Sequence, residues 1–125
     1  MDFKEAYDIY RDHLRKGIFS DDDEFFLFTE VAQMLYEHTG DTEYMTNLGG
    51  AYYERREFDL ARKYYEIAAE KGDLYANIGL GYIWYYGRTG KCDYEKAFRY
   101  FSRCRGNIRA EYKLARRRRS RGSGG

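Results

Sequence analysis

A Leu-Gly pair followed by a large aromatic three residues after the glycine occurs twice in this chain, as Leu48-Gly49 with Tyr52 and as Leu80-Gly81 with Trp84. Each copy runs into an amphipathic segment with the same internal steps of four and three. These segments carry Ala61, Tyr65 and Ala68 in the first case and Ala97, Phe101 and Cys104 in the second. A third marker, glycine followed by an acid or an amide, stands at Gly40-Asp41, Gly72-Asp73 and Gly106-Asn107, 32 and then 34 residues apart. Self-similarity at that period marks a helix-turn-helix solenoid, in which each unit buries its apolar face only by stacking on its neighbour.

The apolar spacing predicts seven helical segments and no alternating strand. The first, over about residues 2–16, aligns Phe3, Ala6, Tyr7, Tyr10 and Leu14 and stops before Gly17, a C-terminal glycine cap. The second follows Ser20-Asp21-Asp22-Asp23-Glu24, whose hydroxyl and carboxylates suit orphan amides and the positive end of a helix dipole. It carries Phe25, Phe28, Val31, Ala32, Leu35 and Tyr36 as far as Gly40. Calcium is a poor reading of that acidic run, which lacks the alternating ligands and central glycine of a cation loop. Further helices are expected over about 42–55, 58–71, 74–87 and 93–105, with a seventh from Ile108. The chain has 13 glycines and no proline, as suits helices closed by glycine turns.

These residues carry a resemblance. The pattern small-Leu-Gly-x-x-aromatic, then Ala, aromatic and Ala-Glu-x-Gly-Asp, is similar to the Sel1-like repeat family, relatives of the tetratricopeptide repeats. The second unit matches better: Gly81 to Ala97 is 16 residues and contains Tyr86-Gly87, Gly90 and Asp93-Tyr94-Glu95-Lys96-Ala97, like the long glycine-marked loop of such units. The first unit, with 12 residues from Gly49 to Ala61, has the tetratricopeptide spacing and no loop glycines. The absence of proline also departs from the family. The resemblance covers residues 40–115 and implies an all-α, right-handed α-solenoid of about three antiparallel helix pairs plus a C-terminal capping helix. The expected layout is a degenerate pair over 1–39, repeats over 40–72 and 73–106, the start of a capping helix over 107–115, and an Arg-rich and Gly/Ser tail over 116–125. Some secreted members of the family pair a Cys at the place of Cys104 with another eight residues on, but here that position is Tyr112.

Five of the 22 basic residues lie in 116–121, which leaves residues 1–115, with all 21 acids, at −4. A basic face for nucleic acid is not expected on such a body, and an unpatterned arginine run binds any polyanion in a salt-sensitive way. No apolar run reaches about 18 residues and Met1-Asp2-Phe3-Lys4-Glu5 has no signal-peptide character, so a cytoplasmic protein without membrane spans is expected. Cys92 and Cys104 are about 18 Å apart along 12 helical residues, too far for a disulfide, so both thiols are expected to be free and Cys104 to be a small core residue.

Chemistry-bearing patterns are scarce. His13 and His38 have no Cys, His or Glu three or four residues on to complete a metal set, and no Ser or Cys has the context of an activated nucleophile. Gly87-Arg88-Thr89-Gly90-Lys91 follows a helix, not a strand, and lacks the ending of a P-loop. A non-catalytic scaffold with no cofactor and no metal is therefore expected, binding a peptide or a partner helix on its concave face. In helical-pair repeats that face is lined by the first helix of each unit, at places occupied here by Asn47, Gly49, Tyr52 and Tyr53 and by Gly79, Gly81, Trp84 and Tyr85. Tyr52 and Trp84 hold the packing position and are expected in the core. Asn47, Tyr53 and Tyr85, with Tyr82 and Tyr112 from neighbouring faces, are the candidate partner-binding residues, because aromatics with a polar tip bury much area at little rotamer cost. The other reading is a structural or engineered repeat module, excised from a longer protein, with no ligand of its own. No pattern specifies an oligomeric state.

Overall fold

The computed structural model describes residues 1–17 and 19–104, and among these every regular element is a helix: α1 (Phe3–Lys16), α2 (Asp22–Thr39), α3 (Glu43–Glu54), α4 (Phe58–Glu70), α5 (Leu74–Tyr86) and α6 (Tyr94–Ser102). The expected seventh helix, Tyr112 and the tail lie outside the described residues. Helix starts follow the acids. Asp2, Asp21, Asp73 and Asp93 each accept the amide of the residue three further on, at 2.8–3.0 Å. Before α2, the Glu24 carboxylate accepts the Ser20 amide at 2.7 Å and the Ser20 hydroxyl, while the Glu24 amide donates to Asp21, so the helix start holds the residue that precedes its cap. Gly17, Gly40 and Gly87 close α1, α2 and α5 in the left-handed conformation that the absence of a side chain permits.

Each helix packs on its neighbours in sequence, α1 on α2 through to α5 on α6, with a further contact between α3 and α5. A three-residue turn, Arg55-Arg56-Glu57, folds α4 back on α3. Arg56 adopts the left-handed conformation (φ 62°), unusual for a residue with a side chain. The longer 87–93 loop is held by Arg88 N–H donating to Ile83 C=O at 2.9 Å and Asp93 N–H to Trp84 C=O at 3.0 Å.

One continuous core runs through α1–α5, from Ala6, Tyr10, Phe28 and Leu35 through Leu48 and Tyr65 to Leu80 and Ile83. Full burial of a leucine such as Leu48 or Leu80 contributes roughly 1.5–3 kcal/mol. The glycines of the repeated motif are where helices touch. A Cβ on Gly49 would lie 2.8 Å from the Tyr65 ring, and one on Gly81 would lie 2.3 Å from the Phe101 ring. The equivalent places in the two units thus make equivalent contacts.

Several sequence expectations are corrected. The buried stripe of α1 is Ala6, Tyr10 and His13, while Phe3, Tyr7 and Leu14 flank it in solvent. His13 fills its place beside Phe19 and Phe28, its Nδ1 2.9 Å from Glu24 Oε1. Tyr52 and Trp84 are half-buried rather than core. Tyr52 leans on Phe25, stacks on Tyr64 and packs against the margin of the core, and Trp84 is flanked by Lys96 at 4.2 Å and Arg62 at 5.6 Å. Helix α6 ends at Ser102, three residues early, in i→i+3 bonds from Arg103 to Tyr100 and from Cys104 to Phe101. Cys104 is nevertheless fully buried, as expected, and burial pushes its thiol pKa up, while Cys92 is exposed and neither is in a disulfide.

Candidate interaction surface

The two ends of the α3–α6 region differ in chemistry. At one end α3 and α5 finish and α4 and α6 begin, so the last turn of one helix faces the first turn of the next. Aromatic side chains collect there. Tyr53 meets Phe58 edge-on with centroids 5.0 Å apart, and Tyr85 meets Tyr86 at 5.0 Å and Tyr94 at 5.2 Å. Tyr82 stacks on Tyr86 at 6.0 Å and touches the edge of Phe101 at 5.4 Å.

Arg88 joins the halves. Its Nε donates to the Tyr53 hydroxyl at 3.1 Å, and its guanidinium lies 5.4 Å from the Phe58 centroid and 5.2 Å from that of Tyr86. Arg56 covers Phe58 at 5.4 Å. Each such cation–π contact is worth about 0.5–1 kcal/mol at an exposed site. The outcome is a continuous aromatic surface fixed by arginine, with Tyr82 46%, Tyr85 42%, Tyr86 55% and Tyr94 56% exposed. Large rings kept in solvent while locked in mutual contact lose little rotamer freedom on meeting a partner.

Of the residues singled out from the sequence, Tyr53, Tyr82 and Tyr85 are brought into this one surface, although Tyr53 is half-buried and tethered by Arg88. Gly49 and Gly79 both face the Tyr65 ring and Gly81 faces Phe101, so these three line helix crossings, not a groove. Burial pushes Tyr65 up to about 12, in keeping with a hydroxyl that serves packing. Phe58, Tyr86, Arg88 and Tyr94 were not foreseen. Arg88 lies in, and Tyr94 just after, a loop whose glycines accounted for it, and the only available signal was aromatic density on both sides of that loop.

Asn47 lies elsewhere. It donates through Nδ2 to the Tyr10 hydroxyl at 2.5 Å, and that hydroxyl is 3.5 Å from Glu43 Oε1. Burial, partly opposed by the Asn47 bond, raises the Tyr10 pKa. Asn47 lines a separate cleft of about 410 Å³ with Asp41, Glu43, Thr46, Asp73 and Tyr75, at the end where α3 and α5 start. Asn47 to Tyr53 is six residues, about 9 Å along the helix axis, so acidic cleft and aromatic surface are distinct. Among the described residues no group of three or more His, Cys, Asp or Glu side chains is arranged to hold a metal ion, and no helix is long and apolar enough to cross a membrane.

No protein-family model, curated protein or solved structure matches the chain.

Proposed function

We propose that this protein is a Sel1-like, right-handed α-solenoid acting in the cytoplasm as a non-catalytic scaffold, which holds an extended peptide or a partner helix against the Tyr53–Tyr94 aromatic surface. One observation carries the reading: four tyrosines of α5 and the start of α6, each more than 40% exposed, are packed on one another and pinned through Arg88 instead of scattered singly. Supporting it, helices that pack in chain order, with glycine where α3, α4, α5 and α6 cross, suit a solenoid. Two unpaired cysteines suit a reducing compartment.

The test is selection of peptides from a displayed library, followed by titration of the selected peptides against the parent and the Tyr82→Ser/Tyr85→Ser double variant. Truncating central aromatic anchors typically costs 2 kcal/mol or more, about thirty-fold in Kd. Selected peptides that bind the double variant as tightly as the parent would place recognition off this surface. A library that yields no binder would favour a structural module without a ligand.

A further inference from the structure

The aromatic surface holds two guanidiniums that pair with no carboxylate of the described residues. Arg56 and Arg88 both stand 5.4 Å from the centre of the Phe58 ring, so the two charges are at most twice that distance apart. Acids are near in the chain. Glu54, Glu57 and Asp59 lie within three residues of Arg56, yet Glu57 pairs with Arg55 at 3.2 Å, and none of the three reaches Arg56 or Arg88. Arg88 commits its Nε to the Tyr53 hydroxyl at 3.1 Å, which leaves both Nη groups without an acceptor among the described residues.

Arg56 is held there against its backbone preference. At φ 62° a residue with a side chain bears a cost that glycine would avoid, and glycine would close the turn between α3 and α4 as well. The exposed guanidinium makes no hydrogen bond or ion pair among the described residues, only the Phe58 contact. Strain that local packing does not require points to a role outside folding.

We propose that the partner of this surface is an acidic peptide, an extended segment whose apolar side chains lie on Tyr82, Tyr85 and Tyr86 and whose Asp or Glu side chains meet Arg56 and Arg88. The proposal rests on the scaffold reading above and specifies the chemistry of what the scaffold holds. Desolvation is the reason. Arg88 is half-buried among Tyr53, Phe58 and Tyr86, so any segment that covers these rings also takes its Nη groups out of water. A wholly apolar segment would leave a cation unpaired there, whereas a carboxylate accepts the guanidinium fork and so is selected over its apolar competitors. Alternate side chains on one face of an extended peptide are about 6.5–7 Å apart, so two acids so spaced can serve the two arginines separately.

The test selects peptides on the full chain from a library displayed as amino-terminal fusions, which offer no free C-terminal carboxylate. The selected sequences are then titrated as C-terminally amidated peptides. They should carry Asp or Glu beside large apolar residues. Changing such an acid to its amide should weaken binding to the parent about ten-fold, the worth of one hydrogen bond to a charged group, and leave binding to Arg56→Gly/Arg88→Gln unaltered. The single variant Arg56→Gly, with a residue suited to the turn, should show part of that loss with its circular dichroism unchanged, which separates lost recognition from lost folding. Tight binders without an acid, or an acid whose removal costs both proteins equally, would overturn the proposal. So would an acid preference that vanishes when Arg116, Arg117, Arg118, Arg119 and Arg121 are replaced by Gln, since it would belong to the tail. In any of these cases, peptides that still bind the parent about thirty-fold better than Tyr82→Ser/Tyr85→Ser would keep the aromatic surface as the binding face, so the partner's chemistry and the surface itself fail separately. A library without binders sinks both.

Discussion

In the α3–α4 unit the aromatic knob, Tyr65, abuts glycine on two helices, Gly49 of α3 and Gly79 of α5, whereas in the α5–α6 unit its counterpart Phe101 meets Gly81. Tyr65 is buried and Phe101 half-buried. The surrounding positions diverge as well. Where α3 has Gly50 and Glu54, α5 has Tyr82 and Tyr86, and both tyrosines are exposed. The repeat thus explains the crossing glycines and does not explain the aromatics of α5, because the same register does without them one unit earlier. Residues that the shared packing scheme does not require are the ones on which the proposed recognition rests.

The largest effect should expose the difference between a knob that meets glycine on two helices and one that, among the described residues, meets it on one. By distance alone Gly81 is the tighter place, since a Cβ would be 2.3 Å from Phe101 against 2.7 Å from Tyr65 at Gly79. Among the described residues Tyr65 has a glycine-bearing helix on two sides, whereas Phe101 has one. Overpacking costs about 1–3 kcal/mol, and alanine for glycine inside a helix returns about 0.5–1 kcal/mol. Gly79→Ala is therefore expected to lower the urea midpoint clearly, with an unchanged m-value, and Gly81→Ala to lower it less. The reverse order would mean that Phe101 is as confined as Tyr65.

Next in size is the contrast within the aromatic surface. Tyr53→Ser removes the Arg88 hydrogen bond and the Phe58 edge contact and should cost about 1–2 kcal/mol, whereas Tyr82→Ser and Tyr85→Ser should each stay within about 0.5 kcal/mol. Equal losses at all three places would show that Tyr82 and Tyr85 serve packing. Thermal melts of the three single variants decide it.

The two intra-unit connections give a smaller pair of opposite effects. Gly87 adopts φ 64° and a Cβ there would lie 2.9 Å from Cys92 Sγ, so Gly87→Ala should destabilise by roughly 1–2 kcal/mol, the left-handed penalty of a residue with a side chain. Arg56 already bears that penalty at φ 62°, so Arg56→Gly should stabilise by up to about 1 kcal/mol, less the lost Phe58 contact. Loss of stability in Arg56→Gly would show that the Phe58 contact outweighs the strain.

How far the sequence disclosed this molecule follows from what a periodic pattern encodes. Helix starts at Asp21, Asp73 and Asp93 and stops at Gly17, Gly40 and Gly87 were legible because caps act within a few residues of the chain. The matching places of Gly49 and Gly81, and of Tyr65 and Phe101, were legible in the repeat, but which ring each glycine meets was not. The sequence puts Gly49, Gly79 and Gly81 alike on the concave face, because a pattern fixes the direction of a side chain around its own helix axis and leaves the crossing of the next helix unspecified. The same gap explains why Tyr52 and Trp84 read as core, and why Arg88, in a loop accounted for by its glycines, gave no sign of bridging Tyr53 to Tyr86.

The smallest effect belongs to the first helix pair, where the repeat pattern is weakest and a polar junction ties α1 to α2. Hydrogen bonds from the Ser20 hydroxyl and amide, aided by Lys16 and His13, hold the Glu24 carboxyl down to about 2, from an ordinary value of 4.5. A carboxyl depressed in the folded state contributes its full share of stability above the unfolded value and loses it as pH falls through the folded one. The contribution should therefore be constant above about pH 5 and disappear between 4.5 and 2. In Glu24→Gln that part of the acid limb should be missing, so that the melting temperatures of parent and variant differ by a fixed amount at neutral pH and draw together below pH 3. The knobs of the later units, Tyr65 and Phe101, pack against glycine without any carboxylate, so Gly79→Ala should shift the whole stability profile without changing its slope in that window. An acid limb that stays as steep in Glu24→Gln as in the parent would assign the acid sensitivity to other carboxylates and deprive the α1–α2 junction of its distinct character.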